Sequence, residues 1–176
     1  MSTPSPRIAA DELSFGAFFG SELEQHIGAF AAAAVRARSI DPVTTEIIRL
    51  RCAQMHDCRL CGSLRVREAL DSGFDEDMQR KIGAWESSDF SPKIKAALAL
   101  CDAMIMHQGA IDPALRESVS EHFDAAQITE ICVDVMKWSQ QKALVSLRIE
   151  PPASEDSLTE LRFDEAGNPV FGEALD

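Results

Sequence analysis

The stretch EIIRLRCAQMHDCRLCGSLRVR, residues 46–67, decides how this chain folds and which chemistry it can perform. It places Cys58 and Cys61 in a Cys-x-x-Cys where one helical pattern stops and the next begins. A helix start favours the thiolate, because unpaired backbone N–H groups and the helix dipole stabilise negative charge there. The thiolate is the form that attacks peroxides and disulfides. The motif therefore predicts redox chemistry.

Helical patterns extend in both directions from this stretch. Apolar residues recur at three- and four-residue spacing, and no strand pattern is evident before about residue 149. Three helix starts, at Asp41-Pro42, Ser91-Pro92 and Asp112-Pro113, combine a capping acceptor with a proline at the first helical position. The predicted fold is all-α. Its helices cover about 11–19, 20–38, 42–56, 58–72, 75–85, 92–108, 113–122 and 125–147.

Length and composition fit one helical domain, predicted for residues 1–149, followed by an acidic tail at 150–176. The chain has 176 residues, of which 45% are hydrophobic, enough for a sizeable core. Its net charge of -12 argues against nucleic acid or an anionic membrane as a partner. The tail contains eight acids against one base, so most of the negative charge is concentrated there.

The tail and the N-terminus carry separate signals. The segment LRFDEAGNPVF, residues 161–171, is compatible with a hairpin around Ala166-Gly167-Asn168. It is equally compatible with an arm that crosses onto a neighbouring subunit, or with a mobile tail. The N-terminus lacks a basic start followed by an apolar run, so we expect no signal peptide and a cytoplasmic location.

The five cysteines are unevenly distributed. Cys101 and Cys132 lie alone on apolar helix faces and are predicted to be small buried hydrophobic residues. The cluster at residues 52–61 offers the ligand types of a zinc site, in Cys52, His56, Cys58 and Cys61. These four are crowded within ten residues, whereas zinc sites usually join two pairs across a loop. No metal or other cofactor is therefore predicted.

Three further side chains are candidates for the thiol site. Arg65 follows Cys61 by four residues, one turn along a continuous helix, where its guanidinium would stabilise a thiolate without accepting a proton. Glu46, on the preceding helix, is either a surface acid or a site acid or base that lies closer to Arg65 than to Cys58. His56 is either a proton carrier beside Cys58 or a polar residue at a helix end.

The residues from Glu46 to Arg65 resemble the carboxymuconolactone decarboxylase superfamily, in its alkyl hydroperoxidase D-like (AhpD-like) branch. The family pattern is a helical Glu, a Cys-x-x-Cys twelve residues later, and a His four residues after the second Cys. Glu46, Cys58 and Cys61 match that pattern, and the similarity extends over about residues 38–149. The resemblance implies a helical bundle that assembles into dimers, trimers or hexamers.

The resemblance also implies a function and its residues. Cys61 would be the peroxidatic cysteine and Cys58 the resolving one, with a hydroperoxide as substrate and a dithiol or lipoyl-type reductant. Dipole reasoning alone favours Cys58 as the attacking group, because it lies nearer the helix start. This chain departs from the family pattern at two positions. Arg65 stands where the family has a His after the second Cys. Leu60 stands where the peroxidase members have a His between the two cysteines.

These departures leave two other functions open. A redox sensor or oligomeric scaffold would keep the fold and the dithiol without efficient turnover. A lactone decarboxylase or isomerase would follow the branch that gives the superfamily its name, although that branch does not rely on a Cys-x-x-Cys. The predicted function remains a thiol-dependent peroxidase or disulfide oxidoreductase, since only a site can decide between activities on one fold.

Overall fold

The computed structural model of the chain describes residues 22–107, 111–148, 152–154 and 156–175. Helices dominate these ranges, which confirms the predicted helical fold. They are α1 (Glu22–Ala34), α2 (Pro42–Met55), α3 (Arg59–Gly62), α4 (Arg67–Asp71), α5 (Glu76–Ile82), α6 (Pro92–Met106), α7 (Pro113–His122) and α8 (Ala125–Arg148). The helix predicted at 11–19 lies outside the described residues. Within the described ranges, none of these helices is both long and apolar enough to cross a bilayer.

The three predicted acceptor–proline helix starts are confirmed. Asp41 accepts a hydrogen bond from the Thr44 N–H at 2.8 Å, and Asp112 accepts one from Ala114 at 2.7 Å. Ser91 caps α6 in the same way. In each case proline occupies the first turn, where its missing N–H removes no helical hydrogen bond. Local sequence alone therefore sets the starts of α2, α6 and α7.

Helix α2 lies at the centre of the fold and contributes to two apolar clusters. Ile48 and Cys52 pack in the first cluster with residues from α6, α7 and α8. Ile47 and Leu50 pack in the second with residues from α4, α5 and α6. Because α2 is covered on most sides, any polar side chain on it must find its partners inside the protein.

The predicted helix at 58–72 is wrong, because the chain there forms α3, a short strand and α4. The strand, β1 (Leu64–Val66), pairs in parallel with β2 (Leu158–Phe163), with Arg65 opposite Glu160. The expectation that no strand precedes residue 149 is corrected by the same observation. A three-residue strand whose partner is more than ninety residues away leaves almost no local signal in the sequence.

The C-terminal segment forms a hairpin, one of the three interpretations left open by the sequence. Strand β2 pairs antiparallel with β3 (Pro169–Leu175), and the order in the sheet is β1-β2-β3. Asp164 holds the turn by accepting a hydrogen bond from the Asn168 N–H at 2.8 Å. Gly167, at φ +88°, supplies the left-handed conformation that the turn needs. The hairpin thus lies on the helical domain beside β1.

We expect Gly167→Ala to loosen the hairpin. Its φ is unfavourable for alanine, and the added Cβ would lie 2.6 Å from the Ala32 carbonyl oxygen of α1. Strain of this kind costs about 1–3 kcal/mol, so amide hydrogen exchange in β2 and β3 should accelerate. Gly28→Ala is the control, because a Cβ there meets no heavy atom within 4 Å. Unchanged exchange in Gly167→Ala would contradict the proposed tightness of this contact.

Candidate redox site

Cys58 and Cys61 form a disulfide at the start of α3. Asp57 turns the chain with φ 50°, and the Cys58 N–H then donates to the Ala53 carbonyl at 2.9 Å. Cys58 is the capping residue of α3, and its sulfur accepts a hydrogen bond from the Cys61 N–H at 3.3 Å. The turn after α2 therefore fixes the first cysteine against the end of that helix.

The two sulfur-bearing residues line different cavities. Cys61 lines a cavity of about 130 Å³, called the Cys61 cavity below, between α2, α3, α8 and the hairpin. Cys58 lines a second cavity of about 290 Å³, the Cys58 cavity, together with residues of α2, α3, β1 and α5. Both cysteines are themselves largely buried, at 3% and 9% exposure. The disulfide thus joins two residues that line two separate cavities.

Glu46 is buried and pairs with Arg49, not with Arg65. The Arg49 guanidinium donates to both Glu46 carboxylate oxygens, at 2.6 and 2.7 Å. The interpretation of Glu46 as a surface acid is wrong, since its exposure is 1%. The Val66 N–H also donates to Glu46 at 3.3 Å, so this carboxylate reaches β1 as well. The sequence analysis missed Arg49 as the partner of Glu46.

Arg49 connects α2 to the segment that carries the second cysteine. Its remaining N–H groups donate to the Cys61 carbonyl at 2.9 Å and to the Leu64 carbonyl at 2.6 Å. An arginine three residues after a glutamate on a helix usually forms a surface pair, so no local pattern singles out Arg49. One buried guanidinium therefore positions the main chain on both sides of Gly62.

Arg65 lies on β1, so the expectation that it continues the cysteine helix is wrong. It donates to the carbonyls of Gly62 and Leu64, at 2.8 and 2.6 Å, and to Gln79 at 3.1 Å. One of its nitrogens, Nη2, is buried and has no hydrogen-bond partner among the described residues. Burial lowers the pKa of Arg65 to about 10, which leaves it charged at neutral pH. Arg65 lines the Cys58 cavity.

His56 ends α2 and is tied to α8. Its Nε2 lies 2.6 Å from the Ser139 hydroxyl oxygen, at hydrogen-bond distance. Burial, assisted by the charge of Lys142, lowers the pKa of His56 and favours the neutral imidazole. A neutral imidazole is the form that accepts a proton, so its role as a proton carrier stays a prediction.

Two lysines of α8 were missed by the sequence analysis. Lys137 and Lys142 are 4% and 1% exposed and line the Cys61 cavity. Their Nζ atoms lie 3.0 and 4.3 Å from the centroid of the Trp138 ring. Burial, with the repulsion of neighbouring cations, lowers the pKa of Lys137 to about 6 and that of Lys142 to about 7. Lys142 follows Trp138 by four residues and so lies on the apolar stripe of the helix. That placement in the sequence is the signal that Lys142 is buried.

The other three cysteines, Cys52, Cys101 and Cys132, are free thiols. Cys101 is fully buried, as predicted, and its sulfur lies 3.7 Å from that of Cys52. Cys132 is only partly buried. Cys52 therefore packs in the core between α2 and α6 rather than beside Cys58.

We expect Glu46→Gln to destabilise the fold strongly, because it leaves the Arg49 guanidinium buried without its counter-charge. Breaking a buried pair in this way costs about 3–5 kcal/mol in the free energy of unfolding, which denaturant titration measures. Glu68→Gln is the matched control. Glu68 pairs with Arg38 at 3.3 Å where both side chains are more than half exposed, so a loss below about 1 kcal/mol is expected. Equal losses in the two variants would contradict a special role for the Glu46–Arg49 pair.

Known proteins resemble this chain in sequence and in fold. An uncharacterized protein of Mycobacterium tuberculosis is 34% identical over 144 residues, which are 81% of this chain and 51% of the relative. The chain thus spans about half the length of that relative. The uncharacterized protein YdfG of Bacillus subtilis is 32% identical over 107 residues, 58% of this chain and 73% of YdfG.

The structural comparison and the family match point to the same group of proteins. A solved structure from Agrobacterium tumefaciens, a protein of unknown function proposed to be the antioxidant defence protein AhpD, matches with a TM-score of 0.66 at 20% identity. That match covers 85% of this chain and all of the other. Residues 21–103 match the carboxymuconolactone decarboxylase family. This chain belongs to the carboxymuconolactone decarboxylase family and has an AhpD-like fold.

Proposed function

We propose that the protein is a thiol-dependent peroxidase that reduces an organic hydroperoxide through the Cys58–Cys61 pair. The observation that carries this proposal is a disulfide whose two cysteines line two separate cavities. A peroxidase of this kind needs one sulfur that meets the peroxide and one that meets the reductant. The Cys61 cavity suits the substrate because its walls are largely apolar, and the Cys58 cavity suits a dithiol reductant.

The chemistry uses the two sulfurs in turn. The Cys61 thiolate attacks the outer peroxide oxygen, so that an S–O bond forms, the O–O bond breaks, and the alcohol leaves after taking a proton. The Cys58 thiol then attacks the resulting sulfenic acid, which forms the disulfide and releases water. A dithiol of the lipoyl type restores both thiols by exchange, and is itself oxidised to a disulfide.

Positive charge on neighbouring side chains supports the thiolate in this proposal. Arg65 lies on the Cys58 side, while Arg49 and Lys142 line the cavity on the Cys61 side. Cations near a thiol favour its ionised form. In the family pattern a His connects the Glu to the cysteines, and Arg65 stands in that position. Because Glu46 is held by Arg49, proton transfer falls to His56 or to solvent.

A redox sensor is the second candidate function, and the positions of Arg65 and Glu46 favour it. Arg65 cannot accept a proton, and the Glu46 carboxylate is fully engaged by Arg49 and the Val66 N–H. A sensor would oxidise once per molecule and then wait for a specific reductant. Multiple turnovers with a dithiol donor distinguish the peroxidase from the sensor.

The first test replaces each cysteine by serine. Cys58→Ser should consume about one equivalent of hydroperoxide and stop, with a sulfenic acid at Cys61 that dimedone traps. Cys61→Ser should consume none beyond the background. Cys132→Ser, at a partly buried position of α8, should keep the wild-type rate. Sulfenic acid in Cys61→Ser instead would reverse the two roles, and full turnover in both site variants would contradict the proposal.

The second test removes the charge of Arg65. In Arg65→Met we expect a raised pKa for the reduced Cys58 thiol, because a nearby cation no longer favours the thiolate. Iodoacetamide alkylation at pH 7, resolved by mass spectrometry, should slow by about three- to tenfold at that cysteine. Arg80→Met is the control, since Arg80 is an exposed residue of α5 that pairs with Asp77. Equal alkylation rates in all three proteins would remove Arg65 from the site.

A further inference from the structure

Three guanidinium groups of this fold hold a carboxylate along the same edge, the one formed by Nε and Nη2. The pairs are Arg49 with Glu46, Arg51 with Asp102, and Arg67 with Glu160. A planar guanidinium presents parallel N–H donors along this edge, and they match the oxygens of a carboxylate. The same edge of an arginine without an acidic partner is therefore a place where a carboxylate ligand can bind.

Arg65 is an arginine whose edge holds no carboxylate. Its Nε donates to the Gln79 amide oxygen at 3.1 Å, and its Nη2 has no hydrogen-bond partner among the described residues. The side chain is 2% exposed, and a buried donor without a partner is costly. Glu46, the acid whose charge acts on Arg65, is already held by Arg49. Arg65 is thus a buried cation with one unpaired nitrogen.

The unpaired nitrogen belongs to a residue of the Cys58 cavity. Arg65 and Gln79 line this cavity together with Cys58. Because the Gln79 oxygen accepts from Arg65, the amide nitrogen of Gln79 is the end that remains to donate. Asp57 and Arg59 line the cavity as exposed residues of opposite charge, so Arg65 supplies its net positive charge. The volume of about 290 Å³ lies near the lower end of the roughly 300–1,000 Å³ typical of small-molecule sites.

We propose that the Cys58 cavity binds a carboxylate through Arg65 Nη2 and the Gln79 amide nitrogen, beside the disulfide. This inference rests on the peroxidase function proposed above, and on that function the carboxylate belongs to the reductant, which is a small dithiol acid. Folding has already removed the guanidinium from water, so only the carboxylate loses its hydration on binding. An anchored acid end keeps the thiol end close to Cys58 in the same cavity.

The reaction at this site exchanges one disulfide for another. A thiolate of the bound acid attacks Cys58 Sγ, so that a mixed disulfide forms and Cys61 leaves as a thiolate. The second thiol of the acid loses its proton and attacks the acid's own sulfur in the mixed disulfide. This step releases Cys58 as a thiolate and closes the disulfide of the reductant. Two electrons pass from the acid to the protein, and the two protons of the dithiol go to the protein sulfurs or to solvent.

The binding test uses two probes that cannot reduce the protein. Lipoate carries a carboxylate, and lipoamide is the same molecule with a neutral amide in its place. Both are already disulfides, so the oxidised full-length chain binds them without electron transfer. At about pH 7.5, where the carboxylate is ionised, calorimetry should find lipoate bound about tenfold more tightly than lipoamide. The reason is that a hydrogen bond between two charged groups is stronger than one to a neutral carbonyl.

The kinetic test uses the reduced forms of the same two molecules. Dihydrolipoate and dihydrolipoamide carry the same dithiol, so a difference between their rates reports recognition at the other end of the molecule. With oxidised protein, no peroxide and low reductant concentration, dihydrolipoate should reduce the Cys58–Cys61 disulfide about tenfold faster. Acid quenching, alkylation and mass spectrometry measure the disulfide that remains.

Two variants locate the effect. Arg65→Met removes the guanidinium, and Gln79→Glu places a carboxylate against its Nε–Nη2 edge, where it competes with the ligand. Each should bring acid and amide to nearly equal binding and nearly equal rates. The ratio of acid to amide cancels any change in the thiol pKa that a variant causes. Gln25→Glu is the control, because it makes the same change of charge at an exposed residue of α1 and should keep the wild-type ratio.

Thermal melts verify the fold of each variant. Gln79→Glu supplies Arg65 with a counter-charge, so it decides the case even where Arg65→Met does not fold. Equal binding of lipoate and lipoamide by the wild type, or a preference for the acid that survives in Gln79→Glu, would overturn the carboxylate site. A preference for the acid in both tests, lost in the folded site variants and kept in Gln25→Glu, supports it.

The site and the peroxidase function can fail separately. A preference for the acid that depends on Gln79 and Arg65, together with no turnover of hydroperoxide, supports the site and refutes the peroxidase function alone. Turnover of hydroperoxide with equal use of the two dithiols refutes the carboxylate site alone.

Discussion

The buried ion pair between Glu46 and Arg49 is the interaction on which the site depends. Its two partners are almost fully shielded from solvent, where an unpaired charge is very costly. Arg49 uses its remaining donors on the carbonyls of Cys61 and Leu64, which lie on either side of Gly62. A buried ion pair adds little net stability compared with apolar packing, but it fixes geometry. Here it fixes the segment that carries Cys61 to the central helix.

The C-terminal hairpin is the second structural element that shapes the Cys61 cavity. The position of β1 allows β2 to pair beside it, with Leu64 opposite Thr159 and Val66 opposite Leu161. Glu160 is bonded by both Arg67 and Arg162, which further anchors β2 to the start of α4. As a result, side chains from a segment distant in sequence form one wall of the Cys61 cavity. The acidic tail is thereby part of the site and not an appendage.

The features that the sequence predicted are those encoded within one helical turn. Asp41 or Ser91, each followed by proline, determines a helix start through a contact three residues away. The Cys-x-x-Cys is likewise local, since its spacing alone allows the disulfide. Strand β1 was not predictable on these grounds, because its hydrogen bonds go to a distant segment. The misplacement of Arg65 follows from that single omission, since it was assigned to a helix that ends at Gly62.

Three charged residues near the dithiol, Arg49, Lys137 and Lys142, were missed for a different reason. Glutamate, arginine and lysine are mostly exposed in proteins, so their burial is evident only from the stripe on which they lie. Lys142 occupies the apolar stripe of α8 behind Trp138, and Asp134 occupies it one turn before. Charged groups on an apolar helix face must be paired or must serve a ligand, since their isolation in a core is too costly.

Arg65 stands where the family pattern has a histidine. This replacement changes which groups near the dithiol titrate close to neutral pH. In the family pattern a titratable His stands at this position, four residues after the second Cys. Here both oxygens of Glu46 accept from a guanidinium, which is a permanent cation and cannot take part in a relay. The groups near the dithiol that titrate close to neutrality are instead Lys137 and Lys142. Because these lysines line the Cys61 cavity, their protonation changes the charge of its wall close to neutral pH.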